Sequence, residues 1–141
     1  MTDAVETKCV IIADEELPSG ILANTAAILG ITLGKQVPEC VGQDVMDGSG
    51  CRHAGIISIP VPILKGNKDL LRELRRKLFE ADNADLLVVD FSDVAQGCRV
   101  YSEYMQKARF TAEEEHVYLG LAIYGSKKKI NKLTGSLPLL R

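Results

Sequence analysis

The chain has 141 residues, 46% of them hydrophobic, and a formal net charge of −2. That length fits one domain able to fold without disulfides or a metal, and no run approaches the ~20 apolar residues of a membrane span. The acidic balance argues against a dedicated nucleic-acid binder, and the polar residues 1–8 argue against a secretory leader.

The first element is "KCVIIAD" (residues 8–14), a continuous apolar run closed by an acid, which predicts a buried strand. "LPSG" turns the chain, with Pro18 and Ser19 suited to a helix start. A helix is expected over residues 19–33, stopped by Gly34, with Lys35 favourable at the negative end of the dipole. Its Ala23, Ala26, Ala27 and Gly30 allow close approach to a sheet or a partner, and packing must hold so weak a helix in place. Within it, Asn24 and Thr25 are mildly unfavourable interior residues. Asn24 shares a helix face with Gly20, near an end whose free N–H groups suit an anion or carbonyl. Hydrogen bonding to a neighbouring loop is the plainer use of the asparagine.

"DVMDGSGCRHAGIISIP" reads as a small β-hairpin, turning at residues 47–50 and continuing as a longer strand over 52–59 until Pro60 and Pro62 end its pairing. "NKDLLRELRRKLFEA" is the clearest helix, with Leu70, Leu71, Leu74, Leu78 and Phe79 on one face. "ADLLVVDF" is a second buried strand ending at Asp90. "SDVAQGCRVYSEYMQKARF" reads as loop plus helix, capped by Ser92 or Asp93. "HVYLGLAIYG" is a central strand, "SKKKINKLTG" a short helix ended by Gly135, and "SLPLL" a terminal extended segment. The alternation predicts an α/β layered fold with a mostly parallel or mixed sheet.

Ligands in such folds sit at the carboxyl ends of strands. Asp14 and Asp93 are therefore candidate acceptors or acid/base groups, although each is equally suited to capping the turn that follows it. Residues 61–141 carry fourteen Lys/Arg against eleven Asp/Glu, whereas residues 1–60 carry three against eight, so a local anion site is compatible with the acidic whole. Three lysines in the first turn of the last helix oppose its dipole, which a bound anion would relieve. Solvated lysines are the simpler account.

The four cysteines, Cys9, Cys40, Cys51 and Cys98, form no Cys-x-x-Cys pair and read as reduced thiols of a cytoplasmic protein. Cys40, Cys51 and His53 match no standard zinc spacing, so no metal is expected. A Cys98–His116 nucleophile–base pair has no support from spacing. "GITLGK" fails as a phosphate loop, being one residue short and lacking the Ser/Thr. No cofactor pattern is present.

Two stretches carry a resemblance. In "DEELPSG" (residues 14–20) a strand-end acid precedes by six residues the glycine that opens a helix. In "LAIYGSKKKINKLTGSLPLL" (residues 121–140), Ile130, Asn131, Leu133, Thr134, Gly135, Leu137 and Leu139 form a recognisable pattern. Both are similar to the opening and ending of type-two peptidyl-tRNA hydrolases. Over nearly its full length the chain more closely resembles a set known as a domain of unknown function (number two thousand), whose members share "DEELP", "ANTAA", "VVDFSDVAQ" and "KLTGSLPLL". The resemblance implies a mixed sheet of about four main strands flanked by helices, with the small hairpin added, and a homodimer, since the hydrolases dimerise. It departs where the hydrolases place a lysine after the helix-opening glycine, here Ile21. It departs again where they carry Gln and His, here Thr25 and Ile28. Asp93 and Gln96 stand at the start of their last loop, without its threonine.

The expected site is a cleft for a small polar or anionic ligand between residues 14–25, the 90–96 loop and the 131–134 helix. Gly20, Asn24, Thr25, Gln96, Asn131 and Thr134 would line or orient, and Arg99 or Lys132 would meet negative charge. Peptidyl-tRNA or related acyl hydrolysis is the first alternative. The second is a non-catalytic homodimeric module using the small-residue helix or the Pro60–Pro62 edge.

Overall fold

The computed structural model describes residues 6–141, so most of the polar N-terminal stretch lies outside the described residues. β1 (Thr7–Asp14) leads through a turn into α1 (Ser19–Gln36). A minimal hairpin follows, β2 (Val45–Met46) and β3 (Arg52–His53). Then come β4 (Ile63–Gly66), α2 (Lys68–Leu78), β5 (Leu87–Ser92), α3 (Asp93–Gln96), α4 (Tyr101–Arg109), β6 (Tyr118–Ser126) and α5 (Lys127–Thr134).

The main sheet has the order β4-β1-β6-β5. β1 and β4 are parallel, and β6 runs antiparallel to both β1 and β5. It is therefore a mixed sheet of four strands; the alternation of elements predicts a mostly parallel or mixed sheet, and the family resemblance implies the number of strands. β1, β4 and β5 all end at one edge. Strand alternation sorts the core into two faces. Ile11, Phe91, Leu119 and Ala122 pack with Leu29 of α1 on one face. Val10, Ile12, Leu121 and Ile123 pack with Leu71, Leu74 and Leu78 of α2 and Ile130 of α5 on the other. Each fully buried Leu or Ile contributes about 1.5–3 kcal/mol.

Three local expectations fail. α1 continues past Gly34 to Gln36, because Val37 N–H still bonds Leu33 O and only Pro38 ends the ladder. The strand expected over 52–59 is confined to Arg52–His53, and the sheet strand comes after the prolines. Pro62 has no N–H to give, but its carbonyl accepts from Ile11 N–H at 3.0 Å, so pairing starts there. The 92–110 segment is two helices, broken over residues 97–100. The terminal segment is extended as expected. Lys65 N–H bonds Pro138 O and Leu140 N–H bonds Ile63 O, which closes the outer edge of β4.

Candidate functional site at the β5 edge

The expected cleft does not assemble around one hollow. Asp14 and Asp93 share a sheet edge, but β6 lies between their strands, a separation of about 10 Å for two strand spacings. Both carboxylates hold main chain. Asp14 Oδ1 accepts from Glu16 N–H at 2.9 Å, and Asp93 Oδ1 accepts from Val117 N–H at 3.0 Å. Asn24 and Thr25 point apart. Asn24 is exposed beside Gly20, whereas Thr25 is fully buried, with its hydroxyl donating to Ile21 O at 2.8 Å.

α5 packs on the sheet face opposite α1, which removes its residues from the cleft. Asn131 Oδ1 accepts from Lys8 Nζ at 2.6 Å, and Thr134 is buried with its hydroxyl on Ile130 O. Lys132 borders a separate groove beside Lys77, Asp82 and Lys129. Ile21, where the hydrolases carry lysine, packs against the α1-side core. The metal candidates also separate: Cys40 is buried, while Cys51 and His53 lie on the exposed hairpin. His53 Nε2 is 2.7 Å from Asp47 Oδ2.

A hollow of about 420 Å³ instead lies alongside β5, between α1 and the α3–α4 arm. Its floor is Ile28, Val89, Phe91 and Ala95. Polar groups rim it: Thr32, Asp90, Cys98, Arg99, Tyr101 and Tyr104. Of the expected ligand-contacting residues, Arg99 is at this rim, and Gln96 is exposed on the α3 shoulder. The rings of Tyr101 and Tyr104 meet edge to face with centroids 5.5 Å apart. Burial raises the Tyr104 pKa, and the charge of Asp90 adds to the effect, so its hydroxyl stays a donor near neutrality.

Across the strand from this hollow is a polar network. Asp90 Oδ2 accepts from Arg75 Nε at 2.8 Å. Ser92 precedes α3 at the capping position, yet its side chain makes no cap hydrogen bond. Its Oγ instead lies 3.1 Å from His116 Nδ1. The His116 ring stacks on Tyr118 at 6.0 Å, Arg72 bonds the His116 carbonyl, and Tyr118 OH donates to Glu113 Oε2 at 2.6 Å. Burial, the Glu113 bond and the nearby Asp90 charge all raise the Tyr118 pKa. Sequence reasoning missed Tyr101, Tyr104 and the Ser92–His116 pair. The tyrosines, three apart on a helix with little else apolar, were a usable signal. The serine–histidine pair, 24 residues apart, was not.

No curated protein matches the chain. A solved structure of Atu0240, a protein of unknown function from Agrobacterium tumefaciens strain C58, is 19% identical, covers 94% of this chain and 96% of its own, and superposes with a TM-score of 0.84. At that identity the likeness is one of fold. The family model described as "Protein of unknown function (DUF2000)" matches residues 7–141. A match over almost the whole chain confirms the resemblance carried by "DEELP" and "KLTGSLPLL": the protein belongs to the DUF2000 family.

Proposed function

We propose that the protein binds a small polar or anionic ligand in the hollow beside β5. One observation carries this reading: an apolar floor and a rim of polar residues, Thr32, Cys98, Arg99, Tyr101 and Tyr104 among them, enclose a concave space of about 420 Å³, within the range typical of small-molecule sites. Arg99 meets the ligand's negative charge, with Gln96 close on α3. Tyr104 donates, and the edge-to-face tyrosine rings supply an apolar wall. Asp14, Asn24, Asn131 and Thr134 have no part in it. The test is an amide-resolved NMR titration with small carboxylates, phosphates and nucleotides. Shifts confined to Ala95, Cys98, Arg99 and Tyr104 support it, and no shift there from any compound overturns it.

Acyl hydrolysis is the second reading, favoured by the Ser92–His116 contact. In that chemistry Ser92 Oγ attacks an acyl carbon while His116 takes its proton and returns it to the leaving group. Water then repeats the exchange and releases the acid. Ser92 is 2% exposed, so substrate access requires α3 to move, and this reading ranks below ligand binding. Turnover of p-nitrophenyl acetate or N-acetyl-aminoacyl-tRNA that disappears in Ser92→Ala supports it. Absence of turnover at high enzyme concentration rules it out.

Kinship with the type-two peptidyl-tRNA hydrolase fold belongs to the same proposal. Its support is that the two matching motifs fall at β1 into α1 and at α5 into the terminal segment. The outward face of α1, with Gly20, Ala23, Ala27, Gly30 and a 75% exposed Ile31 and no charge before Lys35, supports a homodimer, tested by light scattering. The four free thiols fit a reducing, cytoplasmic setting. Fractionation of cells with an antibody to the protein tests that placement.

A further inference from the structure

The two edges of the main sheet end differently. At β4 the chain's own residues 138–140 pair with the strand. At β5, among the described residues, the main chain of residues 87–91 pairs only with β6. In an antiparallel ladder the strand's residues alternate the side to which they turn N–H and C=O. Alternate residues of β5 therefore present both groups to the open side, a ready template for another strand.

The hollow lies on that open side. Val89, Asp90 and Phe91 all line it. Successive side chains of a strand point to opposite faces, so a space touching three in a row runs along the strand's edge. The opposite wall is α4, which has no buried residue and contributes Tyr101 and Tyr104. The mouth is basic. Arg99 is at the rim, and Lys107 Nζ reaches back over Gly97, 3.9 Å from where a Cβ there would sit. Among the described residues neither cation has an acidic partner within 4.0 Å.

We propose that the groove between β5 and α4 takes an extended peptide, which adds as a strand to β5 and brings a carboxylate to Arg99 and Lys107. This rests on the pocket reading above and names its ligand class. Main-chain hydrogen bonds to the open edge supply affinity that is independent of sequence. The floor formed by Ile28, Val89, Phe91 and Ala95 selects an apolar side chain, as alternate pockets do wherever a peptide extends a sheet. The unpaired cations supply charge complementarity and orient the peptide. The carboxylate is either a free C-terminus or an Asp/Glu side chain.

The test is panning of the full chain against a random hexapeptide library displayed with free C-termini. Enriched peptides are then titrated and followed by amide hydrogen exchange. Alternate β5 amides are expected to gain protection, and Arg99→Gln with Lys107→Gln is expected to weaken binding by about tenfold or more. Amidating the C-terminus separates the two carboxylate sources: lost binding assigns the terminus, retained binding a side chain. Peptides that bind without protecting β5 overturn the proposal. So does failure to enrich any peptide, while phenylacetate or salicylate still shifts Ala95 and Tyr104; in that case the pocket reading survives. If neither peptides nor these acids perturb the hollow, both readings fall.

Discussion

Arg75 holds Asp90 by an Nε–H donated to Oδ2 at 2.8 Å while its guanidinium lies 3.6 Å from the centroid of the Phe79 ring. One side chain thus ties α2 to the strand that carries the candidate groove. Its own side chain is 12% exposed and that of Asp90 is 26% exposed, so the pair is only partly wet. Arg75→Leu leaves the carboxylate facing apolar sheet and is expected to cost about 2–3 kcal/mol. Adding Asp90→Asn is expected to return part of this. Urea unfolding of both single variants and the double variant checks this; a double-variant loss equal to the sum of the two single losses would show that the pair is not coupled.

Thr25 is read as packing, and Gly120 gives the test. A Cβ at Gly120 would meet Thr25 Cγ2 at 2.8 Å, with Ile12 O and Leu29 Cδ1 at 3.1 Å. Gly120→Ala is expected to cost about 1–3 kcal/mol by overpacking. Thr25→Ser removes the nearest atom, so the double variant is expected to be more stable than the sum of the singles predicts. Strict additivity in thermal or urea unfolding contradicts that contact.

Thiol reactivity follows burial. Cys51 is exposed and Cys98 half-buried with Sγ donating to Val94 O, whereas Cys9 and Cys40 are buried. Burial, and next the neighbouring Cys40, push the Cys9 thiol up to about 11. Iodoacetamide at pH 8 is expected to label Cys51 first, Cys98 more slowly and Cys9 only on unfolding. Mass spectrometry against time reads the order. Cys9 labelling as fast as Cys51 would refute it.

The hairpin is expected to respond to acid. Asp47 has its pKa lowered, first by the His53 hydrogen bond and then by the N–H groups of Cys51 and Ser49. A depressed folded-state value means that the stabilisation is complete above the unfolded value of about 3.9 and is lost as pH falls through the folded one. The amides of Ser49 and Cys51 are expected to shift and exchange faster below about pH 4 while core amides hold. In Asp47→Asn this local transition is expected to vanish; a transition that persists assigns it to another group.

Periodicity and apolar runs made β1, α2, β5 and β6 legible, because the pattern that packs each of them is local. β4 was not legible. It is four residues long and mixed in character, and its place comes from β1 on one side and the terminal segment on the other. The strand-end acids were placed on the correct sheet edge, but the strand between them was not foreseen, and one intervening strand separates what looked convergent. Thr25 shows the same limit. Its polar type suggested a ligand contact, yet the i−4 carbonyl satisfies its hydroxyl and its methyl fills the space over Gly120. The hollow beside β5 depends on how a second helix leans over an edge, which no local pattern encodes.

β6 occupies the middle of the sheet although it is the last strand of that sheet to be made. β1 and β5 share no ladder, and each is held by β6 alone across the centre. During synthesis the native sheet therefore cannot close before residue 118 is made. The nine residues of β6 join its two halves, and α5 and the terminal segment that follow complete the cover. A ribosome paused before that point would present chaperones with a half-built sheet rather than a stable subdomain.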